Sequence, residues 1–305
     1  MLAYVASNRN DSPDSVYVID TEAVPNVVIA TIPDVGISSD HIALTPDGTR
    51  AYAGVSSNSR VAVIDTQTNT VSVSIPIIFS SSYLQISPDG TRVYASNITP
   101  IGQQTPNPVS VIDTASNMVV GTIEAGREQR GIVFTPDGAR AYLSNWNEAN
   151  VSVVNTANLQ VIQTIPVGSS PMGMAITPDG TRVYVANDNS HNLSVINTAS
   201  NLVIETVPVG SYPLDLVITP DGARAYVLNL DQISVMNTSN HQIVATVDSP
   251  SNQHAAVTPD GARVYVTHST GLVTVINTSS NTVSETITVG PAPLGIAIGT
   301  IPIQA

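Results

Sequence analysis

"MAITPDGTRVYVANDNSHNLSVINTASNLVIETVPVG", residues 174–210, holds four short apolar runs, each closed by turn-forming residues. MAI, RVYVAN, LSVINT and LVIETVPVG are rich in Val, Ile and Tyr, and none is long enough for a helical period to develop. They predict four strands in succession. Between the first two stands Thr-Pro-Asp-Gly. Proline presets the first turn torsion, aspartate can bond its own backbone, and glycine takes the left-handed position, so this segment predicts a hairpin turn.

The same unit recurs along the whole chain. Pro-Asp-Gly begins at residues 46, 88, 136, 178, 220 and 259, at intervals of 39 to 48 residues. A second marker occurs seven times: VYVIDT (16), VAVIDT (61), VSVIDT (109), VSVVNT (151), LSVINT (193), ISVMNT (233) and VTVINT (273). Four-stranded repeats of about 40 residues are blades of a β-propeller, whose circular closure leaves only short protected edges. The expectation is an all-β, seven-bladed propeller of antiparallel blades. Its closing blade combines residues 1–33 with 294–301, because GIAIGT (295–300) reads as a first strand and LAYVASN, SVYVID and NVVIATI as the other three. Length alone would suggest two domains, but the repetition makes residues 1–305 one ring.

Composition narrows the function. Hydrophobic residues make up 42% and aromatics 4%, so the core must rest on Val, Ile, Leu and Ala. The net charge is -13 and all ten basic residues are arginines, which argues against nucleic acid or anionic membranes as partners. Lysine Schiff-base chemistry is excluded. The absence of cysteine removes disulfides, thiolate metal sites and cysteine nucleophiles. No apolar stretch approaches the roughly 20 residues that cross a bilayer, and the start MLAYVASNRN lacks the regions of a signal peptide. The expectation is a cytoplasmic protein or one whose leader has been removed.

YVASN, YVAND, YVLN and YVTH, together with ITPDG and VINTASN, resemble the YVTN-repeat propellers of surface-layer and secreted proteins. The resemblance covers nearly the whole chain and implies a secreted or cell-surface location. Seven-bladed lactonases and streptogramin lyases are more distant likenesses. The shared motifs are turns and core positions, so they imply a fold and leave the function open.

In a repeat protein the consensus encodes the scaffold, so departures from it point to function. Four residues before the Thr of TPDG, the repeats read Gly295, His41, Tyr83, Gly131, Gly173, Asp215 and His254. This position opens the innermost strand beside the channel. The expectation is a polar arc of Asp215, His254, His41 and Tyr83 facing a bare arc of Gly131 and Gly173 that leaves room for a ligand. Histidine suits acid-base work near neutrality, with tyrosine or aspartate assisting.

Neighbouring loops also deviate. EAGREQRG (124–131) carries Arg127, Glu128 and Arg130, and an arginine pair there could hold a carboxylate or phosphate. The single tryptophan, Trp146, offers a flat contact in the next loop, and His268 occupies an equivalent loop. SNITPIGQQTPNP in the third unit is about six residues longer than its siblings and could cover the opening. Two histidines and a carboxylate could form a facial triad, but Gly295 separates the histidine blades and no local metal motif occurs, so neither metal nor other cofactor is expected.

Two functions follow. The first is binding of a small, anionic molecule at the channel mouth, extending to lyase, cyclase or hydrolase chemistry by His41 and His254. The second is non-catalytic recognition of a protein or glycan. A monomer is expected in either case.

Overall fold

A tyrosine occupies the second strand of every blade, and its position explains how the blades hold together. The computed structural model describes residues 1–8, 14–36, 39–55, 59–97 and 108–302. They form seven four-stranded antiparallel sheets arranged as blades around a channel. We number the blades from the closing one, in which Pro293–Gly299 is the inner strand and Leu2–Ser7, Asp14–Asp20 and Val27–Gly36 follow outward. Inner strands of blades 2 to 7 are Ser39–Leu44, Ser81–Ile86, Gln129–Phe134, Pro171–Ile176, Asp215–Ile218 and Asn252–Val257. Closure is by antiparallel pairing of Leu2 with Gly299, Tyr4 with Ala297 and Val5 with Ile296. Most of the lengthened loop of blade 3, residues 98–107, lies outside the described residues.

Second strands are the driest part of the molecule. Tyr4, Tyr52, Tyr94, Tyr142, Tyr184, Tyr226 and Tyr265 are among its largest fully buried side chains, packed between Val, Ile, Leu and Ala of adjacent blades. Burying a phenol leaves its hydroxyl in need of a partner. In six blades that partner comes from the turn between the third and fourth strands of the next blade. Tyr4 donates to Asn69 (2.9 Å), Tyr52 to Asn117 (3.0 Å), Tyr142 to Asn201 (2.7 Å), Tyr226 to Asn281 (2.7 Å) and Tyr265 to Asn26 (3.0 Å), while Tyr184 meets His241 Nε2 (2.9 Å). Several of these turn residues have left-handed backbones, φ 52° at Asn69 and 53° at Asn281, which asparagine tolerates well. Blade 4 has Leu159 at this place, and Tyr94 of blade 3 is bonded by Arg92 instead. Burial holds the Tyr4 and Tyr265 hydroxyls up at about 12, so they remain donors at any physiological pH.

The Pro-Asp-Gly turns are structural, as the sequence suggests. In blade 2 the Gly48 N–H closes on the Thr45 carbonyl (2.8 Å), Gly48 has φ 69°, and Asp47 Oδ1 accepts from the Thr45 hydroxyl (2.6 Å) and the Thr49 N–H (3.0 Å). Those bonds, the Thr45 hydroxyl first, lower the Asp47 carboxyl below its ordinary value. The arginine that follows the turn crosses to the next blade: Arg92 donates to Thr156 O (3.0 Å), Arg140 to Thr198 O (2.7 Å) and Arg182 to Thr238 O (3.1 Å), with Arg50 and Arg224 doing likewise.

Replacing Tyr226 with Phe removes one inter-blade bond while keeping the ring packed. The expected loss is about 1 kcal/mol in urea unfolding, with an unchanged denaturant slope. A wild-type midpoint would show that this latch carries no stability.

Candidate functional site

Antiparallel hairpins place the Pro-Asp-Gly turns on one face of the disc, called lower here, and the loops entering the inner strands on the other. The third residue of most inner strands forms a layer across the channel between these faces. In it His41 and Tyr83 stack with ring centroids 3.9 Å apart, and His254 meets His41 edge-on at 5.1 Å. His254 Nδ1 lies 3.1 Å from Asp215 Oδ2, and the same oxygen accepts the Ala255 N–H at 3.4 Å. The structure therefore gathers all four polar residues singled out from the sequence.

The layer separates two spaces. Below it is a cavity of about 500 Å³, bordered by His41, Tyr83 and Asp215 at its inner end. Above it is one of about 240 Å³, lined by Tyr83, Arg130, Met172, Leu214, Gln253, His254 and Leu294. Tyr83 borders both.

The four side chains differ in what they can do. His254 retains 25% side-chain exposure and lines the upper cavity, with Nδ1 engaged by Asp215. A histidine oriented by a buried carboxylate in this way can accept and return a proton at its other nitrogen. His41 is only 8% exposed; its ring donates to the Leu84 carbonyl, and Nδ1 has no partner, so Nε2 carries the hydrogen. Burial, and then the neighbouring His254, hold His41 well below the usual histidine value. His41 is thus enclosed and held towards its neutral form, whereas His254 has a carboxylate partner in Asp215. Burial, followed by the Asp215 charge, raises the Tyr83 hydroxyl, which stays a neutral donor.

The glycine arc is filled, contrary to the expectation of an open space. A Cβ on Gly173 would lie 2.3 Å from Asp215 Oδ1, and one on Gly131 2.7 Å from the Met172 carbonyl. These glycines let the neighbouring blade approach; Gly173 in particular makes room for the carboxylate that orients His254.

Arg130 reaches the upper cavity, whereas Arg127 and Trp146 are not among its lining residues. Arg130 pairs with Glu128, and its guanidinium lies 5.9 Å from the Trp146 ring. Arg127 pairs with Glu148 at 3.3 Å, and Asn147 donates to Glu128 (2.7 Å). The two arginines are thus neutralised by two glutamates, unlike the free anion clamp expected from the sequence. His268 is not brought to the site. It is 4% exposed, with Nδ1 3.1 Å from the Pro250 carbonyl and Nε2 2.8 Å from the Thr274 hydroxyl. Asn145, Asn187 and Asn229 do the same work in their blades by donating to Ser152, Ser194 and Ser234, so His268 replaces a scaffold asparagine. Sequence reasoning missed Met172, Leu214, Gln253 and Leu294. Comparing the position one residue earlier across the repeats would have found them. Among the described residues, no group of three or more His, Asp or Glu could hold a metal ion.

The fold and site define a seven-bladed β-propeller with a polar layer across its channel. The family model of the seven-bladed β-propeller lactonases matches residues 109–208. That stretch contains none of His41, Tyr83, Asp215 or His254. Among solved structures, hydrazine synthase of Kuenenia stuttgartiensis is similar with a TM-score of 0.77 at 19% identity, over 85% of this chain and 89% of that one. A functionally unknown protein from Desulfotomaculum acetoxidans is similar with a TM-score of 0.84 at 18% identity, over 98% and 99%. At these identities the likeness is one of fold. No curated protein matches the chain.

Since an unfolded chain protonates His41 below about 6.5 while the folded one keeps it neutral, this residue costs increasing stability as the pH falls past that value. Between about pH 7 and 5 the wild type is expected to lose stability faster than His41→Gln, by no more than about 1.4 kcal/mol per pH unit. Urea unfolding across that range measures it, and parallel curves would mean that His41 titrates normally.

Proposed function

We propose that the upper cavity binds a small ester-like molecule, with lactones as the leading class, and that His254 and Asp215 catalyse its hydrolysis. The observation that carries this reading is the His254 imidazole, tied through Nδ1 to a buried carboxylate and lining the upper cavity. The partial likeness to lactonase propellers supports the substrate class.

In the proposed reaction His254 Nε2 takes a proton from water as its oxygen attacks the lactone carbonyl. The Tyr83 hydroxyl donates to the oxyanion that forms. When the intermediate collapses, the ring C–O bond breaks and the imidazolium returns the proton to the departing alkoxide, giving a hydroxy acid. Asp215 holds the ring in orientation and stabilises its transient charge. Arg130 faces the new carboxylate, a role that requires it to exchange Glu128 for the ligand.

A panel of five- and six-membered lactones, followed by acid release, tests the reading. His254→Gln and Asp215→Asn are expected to lower kcat at least about 100-fold while leaving the melting temperature within a few degrees. Turnover that survives both substitutions would remove the pair from the chemistry. A second reading, recognition of a protein or glycan by the upper rim, draws on Tyr212, which is 44% exposed there, and on Trp146. It takes precedence if no lactone is hydrolysed and no small molecule raises the melting temperature.

A further inference from the structure

The lower cavity ends in three polar groups that the scaffold does not use. Asp215 Oδ2 is occupied by His254 and the Ala255 N–H, but Oδ1 takes no hydrogen bond among the described residues. His41 Nδ1 is a bare acceptor on a side chain more than nine-tenths buried. Tyr83 also borders the cavity, and its hydroxyl makes no hydrogen bond among the described residues. Buried polar groups without partners are uncommon and call for one.

The rest of the cavity is different in character. Ile42, Phe134, Ile176, Val217 and Ile298 are among its walls, and Gln85 adds one amide. A space of about 500 Å³ that offers apolar side chains together with polar groups suits a ligand with an apolar body and one polar head. Asp215 is a carboxylate, His41 is held neutral with its lone pair free, and Tyr83 offers a further lone pair. The head must therefore donate hydrogen bonds, and a positive charge would answer the carboxylate. A primary ammonium has three N–H donors for three acceptors. The chain's net charge of -13 favours the approach of such a cation.

We propose that the lower cavity is a second binding site, for a primary ammonium carried on an apolar chain or ring. Its head sits against Asp215 Oδ1, with His41 Nδ1 and the Tyr83 oxygen completing its hydrogen bonds. The site opens on the face opposite the upper cavity, and it does not depend on lactone hydrolysis.

Three molecules of one shape separate the contributions: hexylammonium, 1-hexanol and hexanoate. Titration calorimetry of the full chain is expected to give one hexylammonium per chain, at least tenfold weaker binding of hexanol, and none of hexanoate. Asp215→Asn should weaken hexylammonium tenfold or more, to the level of hexanol. Ala297→Leu and Val217→Phe, which narrow the cavity without touching the polar end, should weaken both ligands; either serves if the other fails to fold. Lactone turnover should continue in these two variants, so loss of the lower site and loss of the upper chemistry are read separately. Absence of hexylammonium binding, equal binding of hexanoate, or affinity unchanged in all three variants would overturn the proposal.

Discussion

A phenol hydroxyl buried between two sheets must find a partner in the next blade, and that requirement sets the spacing of the ring. Each blade can bury its apolar faces only against neighbours, so stacking alone would let blades slide or splay. The tyrosine-to-turn bonds fix a hydroxyl at the centre of one blade to a turn at the rim of the next. The turn arginines repeat the tie to a neighbouring carbonyl. Because the closing blade joins both ends of the described chain, Tyr265–Asn26 and Tyr4–Asn69 carry the pattern across the seam. The inner strands then present a single layer of side chains to the channel.

That layer derives its chemistry from unequal burial. His254 and His41 occupy corresponding positions on their blades, yet one is tied to a carboxylate and partly open while the other is enclosed and bonded to a backbone carbonyl. Asp215 links the two spaces, because it holds the upper histidine and itself lines the lower cavity. Any ligand that neutralised Asp215 from below would also alter the electrostatic field at His254.

The fold was legible because its signals are local and repeated. TPDG is a turn for reasons contained in four residues, and LSVINT is a strand wherever it occurs. The polar layer was legible for the opposite reason: His41, Tyr83, Asp215 and His254 break a repeat whose rule is known. What the sequence could not convey was direction and enclosure. Gly131 and Gly173 read as empty space, yet a glycine in a close-packed ring admits a neighbour. His268 read as a loop histidine because nothing in YVTH reveals that its ring replaces an asparagine bond. Arg127 and Arg130 read as free cations, since the pairing with Glu148 and Glu128 depends on loop conformation.

Seven copies of one unit would place seven identical groups around the axis, and an acid beside a base cannot arise in such a symmetric ring. The Asp215–His254 contact joins corresponding positions of adjacent blades, so it exists only because two copies diverged at the same address. Scaffold bonds lie elsewhere in each repeat, in the tyrosine, the turn and the arginine. One address per blade can thus change while the shared framework is retained, provided the neighbouring blade leaves room, as Gly173 does for Asp215. The ring behaves as a row of slots each coupled to its neighbours, and symmetry breaking is the source of its chemical asymmetry.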